Sequence, residues 1–102
     1  MSGLLNKLVT TNEVQLLGTI GGAEFASVNI VVINETAVDV SPKVWATAGS
    51  APGQVDLLAS SKAVVEAGGY LEITGRIMSS GENVYVQAPA GCVARLEAVN
   101  EI

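Results

Sequence analysis

Apolar and polar residues alternate with a period of two along most of this chain, and that alternation limits the fold more than any other feature. Successive side chains of a strand point to opposite faces, so a two-residue period marks a strand with two different faces. "FASVNIVVIN" (Phe25–Asn34) is the strongest case. Val28, Ile30 and Val32 share one face, and Val31 and Ile33 share the other. A strand that is apolar on both faces is either central in its sheet or covered by a neighbouring subunit. The one stretch with helical character, Ala63–Ala67, runs into Gly68-Gly69 within about a turn.

The same period recurs at short intervals. "EVQLL" (Glu13–Leu17) reads as a strand, and "GTIGGAE" (Gly18–Glu24) as a flexible connection. "VSPKVWATA" (Val40–Ala48) sets Val44 and Ala46 opposite Lys43, Trp45 and Thr47; Pro42, with no N–H to donate, belongs at a strand start or edge. "VDLLA" (Val55–Ala59) reads as a short strand after the loop "GSAPGQ". "YLEITGRIM" (Tyr70–Met78) turns Leu71 and Ile73 inward and Glu72 and Thr74 outward, with Gly75 marking a bulge or bend. After a turn at Ser79–Glu82, "NVYVQA" (Asn83–Ala88) turns Val84 and Val86 inward, so that Leu71–Ala88 reads as a hairpin. "CVARLEAV" (Cys92–Val99) closes the series. The first stretch, "LLNKLVTT", fits a strand, a short helical turn or an arm equally well.

About seven strands at this spacing predict an all-β fold: an antiparallel β-sandwich, Ig-like or jelly-roll-like, in a single domain over residues 1–102, with residues 1–12 as a candidate N-terminal arm. Apolar residues make up 49% of the chain, much of it Ala and Val, and the aromatics are Phe25, Trp45, Tyr70 and Tyr85. The expected core is therefore thin and β-branched, and eleven glycines supply its turns.

Charge and cysteine content exclude several roles. The net charge is −5, and Lys7, Lys43, Lys62, Arg76 and Arg95 are scattered. Nucleic-acid binding calls for a basic stripe, and an anionic membrane surface calls for a basic patch, so neither partner is expected. Cys92 is the only cysteine, which rules out an intrachain disulfide, and it begins an apolar strand pattern where a small buried thiol fits. "MSGLLNKLV" lacks the layout of a signal peptide, and no run is long enough for a transmembrane helix. Synthesis and folding in a cytoplasm are the expectation.

Catalytic and metal chemistry find little to work with. A chain with no histidine has no Ser-His-Asp or Cys-His arrangement, and one cysteine makes no thiolate zinc site. Glu72 and Glu97 lie mid-strand as a carboxylate pair would, but their alternation points them out of the core as ordinary solvated residues. Asn34, Glu35 and Asp39 lack the regular spacing of a calcium loop, and "NET" (Asn34–Thr36) matches the glycosylation triplet by chance. "GTIGG" has no Lys-Ser or Lys-Thr behind it to hold phosphates. No cofactor, metal or enzymatic activity is expected. Trp45 alternates with Lys43 and Thr47, so it is either an exposed interface anchor or a core residue, and Tyr70 and Tyr85 share that ambiguity.

"VNIVVIN" (Val28–Asn34), "LEITGRIMSSGENVYV" (Leu71–Val86) and the closing "VARLEAVNE" (Val93–Glu101) resemble, in order and spacing, a family of small β-sandwich proteins encoded among the structural genes of tailed bacteriophages. The resemblance covers roughly residues 26–101 and rests on strand and turn residues, so nothing catalytic is carried over. It implies a virion component, most simply a capsid decoration or minor head protein bound non-covalently to the major capsid protein or another virion protein, and forming a homo-oligomer. A neck, collar or tail-attached protein is the alternative within that class. A carbohydrate-binding adhesion module is the alternative outside it. Candidate contact residues are Leu4, Leu5 and Leu8 of the N-terminal stretch, with Trp45, Tyr70 and Tyr85, and the loops near Gly21 and Gly49 are further candidates.

Overall fold

The structure, a computed structural model, describes residues 3–21, 25–49, 51–60 and 62–101. Its strands are β1 (Gly3–Val9), β2 (Gln15–Thr19), β3 (Phe25–Ile33), β4 (Lys43–Thr47), β5 (Tyr70–Ser79), β6 (Asn83–Gln87) and β7 (Val93–Glu101). The odd-numbered strands form one antiparallel sheet in the order β1-β7-β3-β5, and the even-numbered strands form the other in the order β2-β6-β4. The protein is an all-β antiparallel sandwich. Among the described residues no strand pairs with its neighbour in sequence, because every connection crosses from one sheet to the other.

This connectivity corrects the expected hairpin. β5 pairs with β3, and β6 pairs with β2 and β4, so the Leu71–Ala88 stretch is an arch between the sheets. Alternation reports which face of a strand is buried but is silent about which strand lies beside it. The arch is fixed by its own hydrogen bonds and by the loop after β2. Glu82 N–H donates to Ser79 O at 3.1 Å, and the Ser79 N–H donates to Glu82 Oε1 at 2.8 Å. Gly81 N–H then donates to Ile20 O at 2.7 Å, and Ile20 N–H donates to Glu82 O at 2.9 Å. Gly81 takes a φ of 92°, where a side chain would be strained.

Between the sheets, Val28, Ile30 and Val32 of β3 and Ala94 and Leu96 of β7 pack in one cluster with Val44, Val84 and Val86 of the small sheet. Each fully buried Val, Ile or Leu contributes roughly 1.5–3 kcal/mol. Close approach depends on Gly18, where an added Cβ would lie 2.6 Å from Leu96 Cδ2 and 2.7 Å from Asn6 Nδ2. The Asn6 amide donates to Leu17 O at 3.1 Å and so ties β1 to β2 across the sandwich.

Two segments differ from expectation. The N-terminal stretch that fitted three conformations is strand β1, in register with β7 from Gly3↔Val99 to Val9↔Val93. "VDLLA" is not a strand: a 3-10 turn at Gln54–Asp56 leads to isolated bridges, Leu57 with Trp45 and then Val65 with Val40. The segment thus runs along the open edge of β4, with Leu58 N–H donating to Val44 O at 2.8 Å. Among the described residues seven strands form, as expected, but β1 stands in the place assigned to Val55–Ala59.

Gly75 does make a bulge. Val28 pairs with Arg76 and Ile30 with Ile73, so Thr74 and Gly75 together face Asn29. Gly75 has a φ of 68°, and its N–H donates to Asn29 Oδ1 at 3.0 Å. The extra residue reverses the alternation. Leu71 and Ile73 pack toward the core before it; after it Met78 is the buried residue, at 1% exposure, and Ile77 points outward at 59%. Met78→Ala is therefore expected to cost about 2–5 kcal/mol, while Ile77→Ser stays within roughly 0.5 kcal/mol. Equal losses for the two in urea unfolding would contradict the phase reversal.

Candidate functional site

The residues singled out from sequence do not form one surface. Leu4 and Leu5 lie in β1 opposite Ala98 and Glu97, and their side chains fall outside the described ones. Leu8 is half-buried against the core, so it serves the sandwich and is not an anchor for a partner. Tyr70 is 65% exposed at the start of β5, on the large sheet. Trp45 and Tyr85 are cross-strand neighbours on the small sheet.

Trp45 is buried, as its core reading had it, and is not the exposed anchor of the other reading. Alternation sets it on the outer face, opposite Val44, yet it is only 7% exposed. Leu57 bridges to it, and with Lys43, Pro52, Gly53 and Gln54 the two line an open cleft of about 330 Å³. A long connection laid along the edge of β4 thus shelters an outward-facing indole, which a strand-by-strand reading does not detect. Leu16, Tyr85 and Trp45 form one row across the three strands, with Thr19, Asn83 and Thr47 forming another. The Asn83 amide and the Tyr85 hydroxyl both donate to Gly49 O, at 3.0 and 3.4 Å, and the Thr19 hydroxyl donates to Asn83 Oδ1 at 2.7 Å.

The strongest surface signal is at one end of the sandwich. Seven large apolar side chains are exposed among the described residues, and five of them, Val9, Val14, Val38, Val64 and Tyr70, lie there. β1, β3 and β6 end at this edge, and β2, β4, β5 and β7 start from it. The loops near Gly21 and Gly49 lie at the opposite end, where β2 and β4 finish. Monomeric proteins seldom gather exposed apolar side chains without a use for them. The available signal in the sequence was Val38 and Val64, valines inside otherwise turn-like segments.

This end is rigid in its polar framework. Asn34 is fully buried, and its amide nitrogen donates to Val38 O at 2.8 Å and Val65 O at 3.0 Å. Its Oδ1 accepts from Thr36 N–H at 3.0 Å and from the Thr36 hydroxyl at 2.6 Å. With the backbone pair Asn34 N–H to Gly69 O and Gly68 N–H to Asn34 O, both at 2.9 Å, one side chain locks the loop carrying Val38 to the one carrying Val64. Beside it the buried Thr10 hydroxyl donates to Pro89 O at 2.6 Å and accepts from Cys92 N–H at 3.0 Å. A polar cleft of about 240 Å³, lined by Asn12, Ser41, Lys43, Gln87, Ala88 and Pro89, opens at the same end.

The groups considered for chemistry have other roles. Asn34 is committed to the loop clamp, out of reach of a glycan or a cation. Cys92 is fully buried. Glu72 is exposed, and Glu97 pairs with Arg95 at 2.9 Å along the outer face of β7. Among the described residues no group of His, Cys, Asp or Glu has the arrangement to hold a metal ion. No protein-family model and no curated protein sequence matches the chain.

Asn34→Ala removes the donor that both loop carbonyls share, and the expected loss is about 1–3 kcal/mol. Asn34→Asp sets a carboxylate oxygen against those carbonyls and is expected to cost more at neutral pH than at acid pH. Denaturant titrations at both pH values check this; a neutral effect of both substitutions would remove the clamp as the cause of loop order.

Proposed function

We propose that this protein is a structural component of a tailed-bacteriophage particle, acting as a capsid decoration or minor head protein that binds the shell non-covalently. The observation that carries the reading is the apolar end formed by Val9, Val14, Val38, Val64 and Tyr70. Its loops are locked by Asn34 and Thr10, so little ordering entropy is lost when it docks. The resemblance to phage structural proteins supports the same reading through the scaffold: Leu71, Ile73, Val84 and Val86 pack the core, and Gly75 and Gly81 shape the bulge and the arch. An elongated body of 41 × 26 × 19 Å standing on one end suits a shell presenting many equivalent sites, where weak contacts are multiplied by copy number.

A glycan-binding module is the second reading. It is favoured by the Leu16–Tyr85–Trp45 row beside hydroxyl and amide groups of Thr19, Asn83 and Thr47.

Quantitative mass spectrometry of purified particles is expected to count hundreds of copies. A few to dozens would place the protein at the neck or tail instead, and none would overturn the virion reading. Val38→Asp and Val64→Asp, both at exposed positions, are expected to leave the melting temperature within a few degrees of the parent and to weaken rebinding to stripped particles at least tenfold. Unchanged rebinding would exclude this end as the docking surface. Saturable quenching of Trp45 fluorescence by a glycan would favour the second reading.

A further inference from the structure

We propose that the outer face of the β1-β7-β3-β5 sheet is a self-association surface, on which a second copy of this chain docks about a two-fold axis parallel to the strands. The registers place side chains on this face in rows that run across all four strands. One row is Val9, Val93, Ile33 and Tyr70. It is apolar from edge to edge, with Val9 60% and Tyr70 65% exposed. The next row is Lys7, Arg95, Val31 and Glu72. A solvated face of an antiparallel sheet alternates to polar residues, but here the two central strands keep Ile33, Val31 and Val93 on the outside.

The charge order in the second row selects both the occupant and the axis. Lys7 lies on β1, at one edge of the sheet, and Glu72 lies on β5, at the other. A two-fold axis parallel to the strands reverses left and right without reversing the order of the rows. It lays β1 over β5 of the second copy and β7 over its β3. The apolar row then meets itself, Val93 against Ile33 of the second copy, and Lys7 meets Glu72 of the second copy, twice per dimer. A two-fold axis perpendicular to the strands through the middle of the face would instead carry the apolar row to the opposite end, away from itself. An isologous contact needs a self-complementary patch of this kind. Lys and Glu side chains are long enough to bridge the splay left when twisted sheets pack at about 30°.

Four strands about 4.8 Å apart and about eight residues long present a face of roughly 19 × 26 Å. Two such faces bury about 1,000 Å², near the lower limit for a specific interface. The dimer is therefore concentration-dependent. Its geometry also bears on the particle reading, and in this respect alone the inference rests on that reading. An axis parallel to the strands points the apolar ends of both copies in the same direction, giving the shell two docking ends side by side.

Sedimentation velocity over a concentration series of the intact chain tests the proposal without any particle. A monomer–dimer equilibrium is expected. Lys7→Glu and Glu72→Lys are each expected to raise the dissociation constant about tenfold or more by opposing like charges, and the double exchange, K7E with E72K, restores it to near the parent value. Tyr70→Asp, at an exposed position, abolishes the dimer while thermal unfolding stays two-state. A chain that remains monomeric at millimolar concentration overturns the proposal, as does a trimer or higher assembly, or a dimer indifferent to both charge reversals. A dimer that responds as expected but fails to bind particles leaves this surface standing and removes only the virion reading.

Discussion

The strict alternation of strands between the two sheets is the constraint on which the rest of the structure depends. A hairpin-built sheet can assemble locally and then find its partner. Here neither sheet can, because every pairing joins strands distant in sequence: Val9 lies beside Val93, and Gln15 beside Val86. The two layers and the core between them must form together. Loop-closure entropy is thus lost before most pairings return any free energy, the condition under which β-proteins fold slowly. The core answers with small and β-branched residues whose shapes leave little choice of packing. Gly18 is a point of close approach, where β2 passes over Leu96 with no room for a methyl group.

That constraint also explains how the polar interior is used. The crossings between sheets leave backbone groups at the ends of the sandwich that no ladder satisfies. Asn34 and Thr10 satisfy them at one end, each joining segments far apart in the chain. At the other end the same work is done by main chain, in the reciprocal pair between Ile20 and the Ser79–Glu82 arch. Buried side-chain polar groups thus appear where loops converge, which is why Asn34, weighed from sequence as a cation ligand, is structural.

Much of the fold was legible because alternation is a local property. The inward faces of β3, β5 and β6 follow from Val28, Ile30, Val32, Leu71, Ile73, Val84 and Val86, and Gly75 announced its bulge. Pairing was not legible, since an arch and a hairpin have the same alternation and the same turn residues. Nor was the edge of β4, where Leu57 bridges a strand without joining a ladder and hides Trp45. The candidate surfaces were the least legible part. Val38 and Val64 are exposed because of where two loops meet, and the row from Val9 to Tyr70 exists only once three registers are known.

The placement of apolar residues outside the core has a physical reason in the thinness of the sandwich. A chain of 102 residues with a mean hydropathy of +0.45 carries more apolar side chains than two small sheets can enclose. A three-stranded layer covers only part of the inner face of a four-stranded one, and the bulge at Gly75 turns Ile77 outward to bring Met78 in. Leu16 and Ile77 apart, the surplus exposed among the described residues is gathered in one region. It lies at one end and along the adjoining row of the large sheet, with Val9 and Tyr70 common to both. Exposed apolar side chains gathered around one corner commonly mark an interaction surface. This arrangement is consistent with a protein whose stable environment includes a second copy on the face and a larger surface beneath the end.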